Sequence, residues 1–230
     1  MPEAALNTSP GWYGKLPNRG DFASRRLPDD FISGWDDWLQ QGLACAREDL
    51  GEEAWLARYL VAPVLRFWLA PGVLGAVAWT GLLMPSVDRV GRHFPLTVAV
   101  PAGLSAGSLA AVLAAADWFS ALDGAARQVL DVEFTVEDFE ARLATIAVPD
   151  FDAAGDAGSP GPQQLASALL QPFMPRQQQA GGPGLPGGPE ASPEVPQPCS
   201  LWWREGASDA AQFACYPALP PAASFAGLLC

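Results

Sequence analysis

Residues 28–46 place apolar side chains at Phe31, Trp35, Trp38, Leu39, Gly42, Leu43 and Ala46, the spacing of one helical face. Asp30, Ser33, Asp37, Gln40, Gln41 and Glu48 take the other side. Pro28-Asp29-Asp30 suits the start, because proline fits the first turn and carboxylates favour the positive end of the helix dipole. A stripe with two tryptophans predicts burial, so Trp35 and Trp38 are expected in a core. A base-stacking platform needs basic neighbours, and here the neighbours are aspartates. Just upstream, residues 11–17 (GWYGKLP) read as a short strand that Pro17 stops. Asn18-Arg19-Gly20-Asp21 is turn chemistry, with Gly20 free to take a positive φ.

The remaining chain supplies what that helix packs on. Residues 52–60 read as a second helix, closed by Pro63. Three strand candidates follow at 64–70, 73–84 and 94–100. The middle one is apolar without interruption, too continuous to be half exposed and too short to cross a bilayer as a helix. Together they predict an antiparallel meander at the centre of a sheet. The alanine-rich stretch 105–130 reads as one helix, capped by Ser105 or Ser108. Thr135-Val136-Glu137-Asp138 has the capping-box pattern and opens another helix over 139–147. Eleven of the 23 prolines then fall within 149–198. Such a segment buries too little apolar surface to offset its ordering entropy, so 177–197 is expected to be a flexible Pro/Gly-rich loop, with a short helix at 163–173. Residues 199–204 and 212–216 form a hairpin, and Pro220-Pro221 precede a last helical turn over 222–229. A terminal hairpin must pack on something already formed, so it is expected to complete the N-terminal sheet within a single domain spanning 1–230. The expected class is α+β, a largely antiparallel sheet flanked by helices.

Charge and cysteine usage exclude several function classes. With 13 Lys+Arg against 25 Asp+Glu the net charge is −12, which opposes nucleic-acid binding and docking on an anionic membrane. Cys45, Cys199, Cys215 and Cys230 are far apart, and with a single histidine there is no zinc-ligand spacing. No metal or cofactor is expected. The first residues lack a basic segment followed by an apolar run, so no secretory signal is visible; free thiols and a cytoplasmic location are expected.

Two loops hold the candidate chemistry. Ser86, Asp88 and His93 have the composition of a hydrolase triad. All three sit in one loop without a nucleophile elbow, and the competing reading is a structured turn in which Ser86 or Asp88 bonds backbone amides. Arg89 and Arg92 flank Asp88, while Arg19, Arg25 and Arg26 flank Asp21. In an acidic chain these clusters suit a recognition surface, because arginine forks bind carboxylate or phosphate. They equally suit a structural role, with Asp21 paired to Arg89, or Asp88 to Arg19, across adjacent loops.

Several of these runs carry a family resemblance: YGKLP at 13–17, RGDF at 19–22, WDDWL at 35–39, WTGLLMPSVDRVGRHFPLT at 79–97 and, more weakly, SLWW at 200–203. In this order they resemble the TagF (ImpM) family of type VI secretion accessory proteins. The resemblance implies a longin- or profilin-like sheet flanked by helices. It implies a cytoplasmic, non-enzymatic regulator that represses secretion after translation by binding a forkhead-associated scaffold protein. In some relatives the domain is joined to a PP2C-type phosphatase; here any phosphatase is expected to be a separate chain. The expected partner-binding residues are Arg19, Asp21, Asp88, Arg89 and Arg92, with a hydrolase using Ser86, Asp88 and His93 as the alternative.

Overall fold

The computed structural model describes residues 9–103, 107–151, 168–169, 198–204 and 212–228. Its strands are β1 (Gly11–Gly14), β2 (Ala23–Arg25), β3 (Leu65–Leu69), β4 (Trp79–Met84), β5 (Leu96–Pro101), β6 (Cys199–Arg204) and β7 (Gln212–Pro217). Its helices are α1 (Asp29–Leu50), α2 (Glu52–Tyr59), α3 (Gly107–Ala114), α4 (Ala116–Gln128), α5 (Val136–Ala144) and, after a 3-10 turn at Ala222–Ser224, α6 (Phe225–Leu228). The strands make one sheet in the order β2-β1-β5-β4-β3-β6-β7, every neighbour antiparallel. This is the expected α+β class. The meander β3-β4-β5 is central, and the C-terminal hairpin β6-β7 joins it through β3.

Both faces of the sheet are covered. Leu65, Phe67, Leu69, Trp79, Leu83 and Trp202 pack with α1, α2 and α6 on one side. Trp68, Leu82, Val98, Val100, Leu201 and Trp203 pack with α3, α4 and α5 on the other. Successive strand residues point to opposite faces, so a sheet covered twice reads as unbroken apolar sequence even when it is antiparallel. Trp35 is fully buried at the centre of the first layer, 4.8 Å from Trp38, 4.9 Å from Phe67 and 5.9 Å from Trp202 between ring centroids. Its indole donates to Thr97 Oγ1 at 2.7 Å, and that of Trp38 donates to the Pro220 carbonyl at 2.8 Å.

Several boundaries differ from expectation. The strand expected over 73–84 begins at Trp79. Before it, Gly72 and Gly75 have φ of 90° and 88°, and a Gly72 N–Gly75 O bond of 2.8 Å closes a turn that no pleated strand accommodates. The helix expected over 105–130 is broken at Ala115, whose ψ of 42° is not helical. Its first part starts at Gly107; Ser105 and the Ser108 side chain lie outside the described residues. The capping box at Thr135 forms, with Thr135 and Asp138 exchanging bonds, and α5 ends at Ala144. The expected helix over 163–173 (except 168–169), the loop 177–197 and the hairpin turn at 205–209 also lie outside the described residues. Cys45, Cys199 and Cys215 are free thiols; Cys230 is not described. Among the described residues no helix is long and apolar enough to cross a membrane, and no His/Cys/Asp/Glu group is placed to hold a metal ion.

Candidate functional site

Sheet order brings the two arginine loops together. The loop after β1 (residues 15–22) and the loop between β4 and β5 (residues 85–95) leave the same end of the sheet, because β1 runs antiparallel to β5 beside it. Gly14 permits the approach: its φ is 143°, and a Cβ there would stand 2.2 Å from the Pro95 carbonyl oxygen. Main chain and side chain then join the loops. Arg89 N donates to the Arg19 carbonyl at 2.9 Å, Arg92 Nη2 donates to the Gly20 carbonyl, and Ser86 Oγ donates to the Lys15 carbonyl at 2.7 Å. Gly20 does not use a positive φ. In the second loop that role falls to Gly91, at φ 84°, which lets its amide reach the Asp88 carbonyl at 3.0 Å.

Asp88 is the hub. Its side chain is closed off from solvent and accepts four donors: the amides of Val90 and Arg92 at 3.0 and 2.9 Å, Arg92 Nε at 2.6 Å and Lys15 Nζ at 3.1 Å. Burial alone would raise its pKa, but the bonds from Arg92, Lys15 and Val90 together hold it well below the usual carboxylate range. Asp88 was expected among the partner-binding residues or, alternatively, as a group that bonds backbone amides in a structured turn. It sits beneath the surface, as the anion around which the loop folds. Arg92 is largely engaged by Asp88 and Gly20. Neither expected cross-pair forms among the described residues: Asp88 pairs with Lys15 rather than Arg19, and the Asp21 carboxylate caps the amide of Phe22 at 2.8 Å.

What remains on top is cationic. Arg19 and Arg89 are exposed, and among the described residues neither guanidinium has a hydrogen bond or ion pair. Phe22 stands beside them, 42% exposed, its ring stacked on Tyr13 and edge-on to Phe94, with Lys15 Nζ 5.0 Å from the ring centre. Val90, 66% exposed, caps the second loop. A groove of about 460 Å³ is lined by residues 19–25, with Arg19, Arg25 and Asp21 as its charged members. Sequence reasoning did not assign site roles to Lys15 and Phe22. No local signal marks Lys15, because its partner belongs to a strand connection distant in the chain.

The triad composition does not assemble into a catalytic array. Ser86 is buried and spends its hydroxyl proton on a backbone carbonyl, while its own amide and carbonyl bond the Tyr59 hydroxyl at 3.0 and 2.9 Å. His93 packs its ring edge-on to Trp55 and Tyr59, at 5.8 and 5.5 Å, and no hydrogen bond joins it to Ser86 or Asp88 among the described residues. Burial, with Arg47 nearby, lowers the His93 pKa. A nucleophile needs its base within hydrogen-bond reach, and that geometry is missing.

A family model described as "TagF N-terminal domain, Type VI secretion system-associated" matches residues 11–146, which include both loops and β1 to β5. Among solved structures, one titled as the crystal structure of PA0076 from Pseudomonas aeruginosa PAO1 superposes with a TM-score of 0.70. It is 36% identical in sequence, over 96% of this chain and 94% of that one. A search of curated proteins gave no match.

Proposed function

The chain belongs to the TagF family of type VI secretion system-associated proteins, and on that premise we propose that it is a non-enzymatic cytoplasmic regulator that holds the apparatus inactive by binding a forkhead-associated scaffold protein. One observation carries this reading. In a chain of net charge −12, Arg19 and Arg89 stand exposed, and without a partner among the described residues, on two loops that Asp88, Lys15 and Ser86 lock together. Rigid support fixes where the forks point, and specific docking to a carboxylate-bearing partner needs that. Asp21 and Arg92 border the surface, and Asp88 holds it from below. A PP2C-type phosphatase is a second partner on this reading.

The test overproduces variants in a secretion-active host and measures tube protein in the medium. Arg19→Glu/Arg89→Glu is expected to restore secretion and to lose the purified scaffold protein in pull-downs, with native circular dichroism. Ser86→Ala and His93→Ala, if folded, are expected to keep repressing. A folded Ser86→Ala protein that binds the scaffold normally yet no longer represses would favour the hydrolase instead.

A further inference from the structure

The groove beside the arginines is also the edge of the sheet. β2 pairs with β1 through Trp12↔Arg25, Tyr13↔Ser24 and Gly14↔Ala23, and it is terminal in the strand order, so among the described residues its outer side has no strand partner. All three β2 residues line the groove formed by residues 19–25. Ala23 and Ser24 are small, leaving the backbone approachable. The Ser24 carbonyl accepts at 2.8 Å from the guanidinium of the exposed Arg25. At the other end lie Arg19 and, bonded to it through the main chain, Arg89. Phe22 is partly exposed, with its ring anchored against Tyr13 and Phe94.

An open strand edge is a template for another strand, and cations along it choose which strand. Basic residues repel a basic segment and attract carboxylates spaced along an extended one. The opposite edge differs: β7 ends at Pro217, which has no amide to donate, and at its other end Arg204 is bonded to Gln212 at 2.7 Å.

We propose that the outer edge of β2 accepts an extended acidic segment of a partner protein as an added antiparallel or parallel strand, with Arg19 and Arg89 gripping its carboxylates at one end, Arg25 at the other, and an apolar side chain resting on Phe22. This rests on the binding reading above and names the chemistry of the bound segment. The added strand displaces the Arg25–Ser24 bond and replaces it with main-chain bonds, so the groove contributes backbone affinity and the arginines contribute selectivity.

The probe is a fluorescein-labelled peptide alternating Glu and Val, titrated by anisotropy against the full chain. Three control arms use a Lys/Val peptide, a Glu/Val peptide N-methylated at alternate amides, and the full chain carrying Arg19→Glu/Arg25→Glu. The Glu/Val peptide is expected to bind saturably and to weaken about tenfold or more in the charge-reversed protein. The Lys/Val peptide is expected not to bind. N-methylation keeps every charge and leaves the protein untouched, yet removes ladder donors, so it is expected to abolish binding. Equal binding of the N-methylated peptide would overturn strand addition, as would no binding of the Glu/Val peptide. A concentration-dependent dimer in sedimentation, lost in Ser24→Pro, with no peptide binding would assign the edge to a second copy and also overturn it. Secretion assays keep the two readings apart. If strand addition fails while Arg19→Glu/Arg89→Glu still releases secretion, the regulator reading stands. If the peptide binds as expected while those arginines do not matter for secretion, the edge site stands without that role.

Discussion

Lys15 Nζ lies 3.1 Å from Asp88 Oδ2 with both side chains almost wholly withdrawn from solvent. A cation at the end of β1 and an anion in the β4–β5 loop thereby fix one another, and the exposed arginines above inherit their positions. Removing one partner of such a pair leaves an uncompensated buried charge, at a cost of about 3–5 kcal/mol. Asp88→Asn is therefore expected to lower the unfolding free energy by about that amount in chemical denaturation. Lys15→Met is expected to cost less, because Asp88 keeps Arg92 and two backbone amides. Equal stability of Asp88→Asn and wild type would show that the pair is not the tie between the loops.

His93 is the chain's only histidine, so its titration can be assigned cleanly. Burial and Arg47 depress its folded pKa, partly offset by Glu52 and Asp88. The unfolded chain therefore takes up this proton first, at about pH 6.5. The resulting stability is full above that pH and is lost as pH falls through the lower folded value. Wild-type stability is expected to decline as pH falls below about 6.5, and His93→Phe is expected to flatten that decline. Denaturation curves across the range decide it; parallel slopes for the two proteins would refute the assignment.

Trp38 sits between Trp202, Phe225 and Trp35, at centroid distances of 5.1, 5.3 and 4.8 Å, and bonds the Pro220 carbonyl. Trp38→Ala is expected to cost about 3–5 kcal/mol, the range for emptying a large core site. Because its contacts reach the C-terminal turn, hydrogen exchange is expected to rise first in residues 222–228. Rapid exchange confined to α1 would show that the turn docks independently.

Arg26 holds a left-handed backbone at φ 61° while its guanidinium forks onto Glu140 and the Pro10 carbonyl. The fork ties the start of α1 to α5 and, although burial pushes the Glu140 pKa up, the bonds from Arg26 and Trp12 bring it down. Arg26→Ala is expected to lose the fork and keep the strain. Arg26→Gly loses the fork but relieves the strain, and is expected to be more stable than Arg26→Ala by about 1 kcal/mol. Thermal unfolding of both variants tests this; the reverse order would place the cost in helix-end entropy instead.

The elements with a strong local period were legible in the chain. The stripe from Phe31 to Ala46 set α1, the Thr135 pattern set the start of α5, and apolar runs with turn residues set the meander and the terminal hairpin. Each depends on side chains a few residues apart. The two loops were legible only in part: Arg19, Asp21, Asp88, Arg89 and Arg92 were named together, as recognition groups or as structural pairs, and nothing in the sequence separated the exposed Arg19 and Arg89 from the buried Asp88. Composition cannot say whether a charge faces water or a partner, because that depends on what another strand brings alongside.

The sequence by itself determined the main helices and strands, though not β2, and that Trp35 and Trp38 belong to a core, because periodicity and hydrophobicity are local properties. Only the tertiary structure decided that Lys15 answers Asp88, that Ser86 is spent on a backbone carbonyl away from His93, and that β2 is left as an edge beside two free arginines. The reason is physical. Pairing partners in a sheet are chosen by strand order and register, which bring together residues that no spacing along the chain relates.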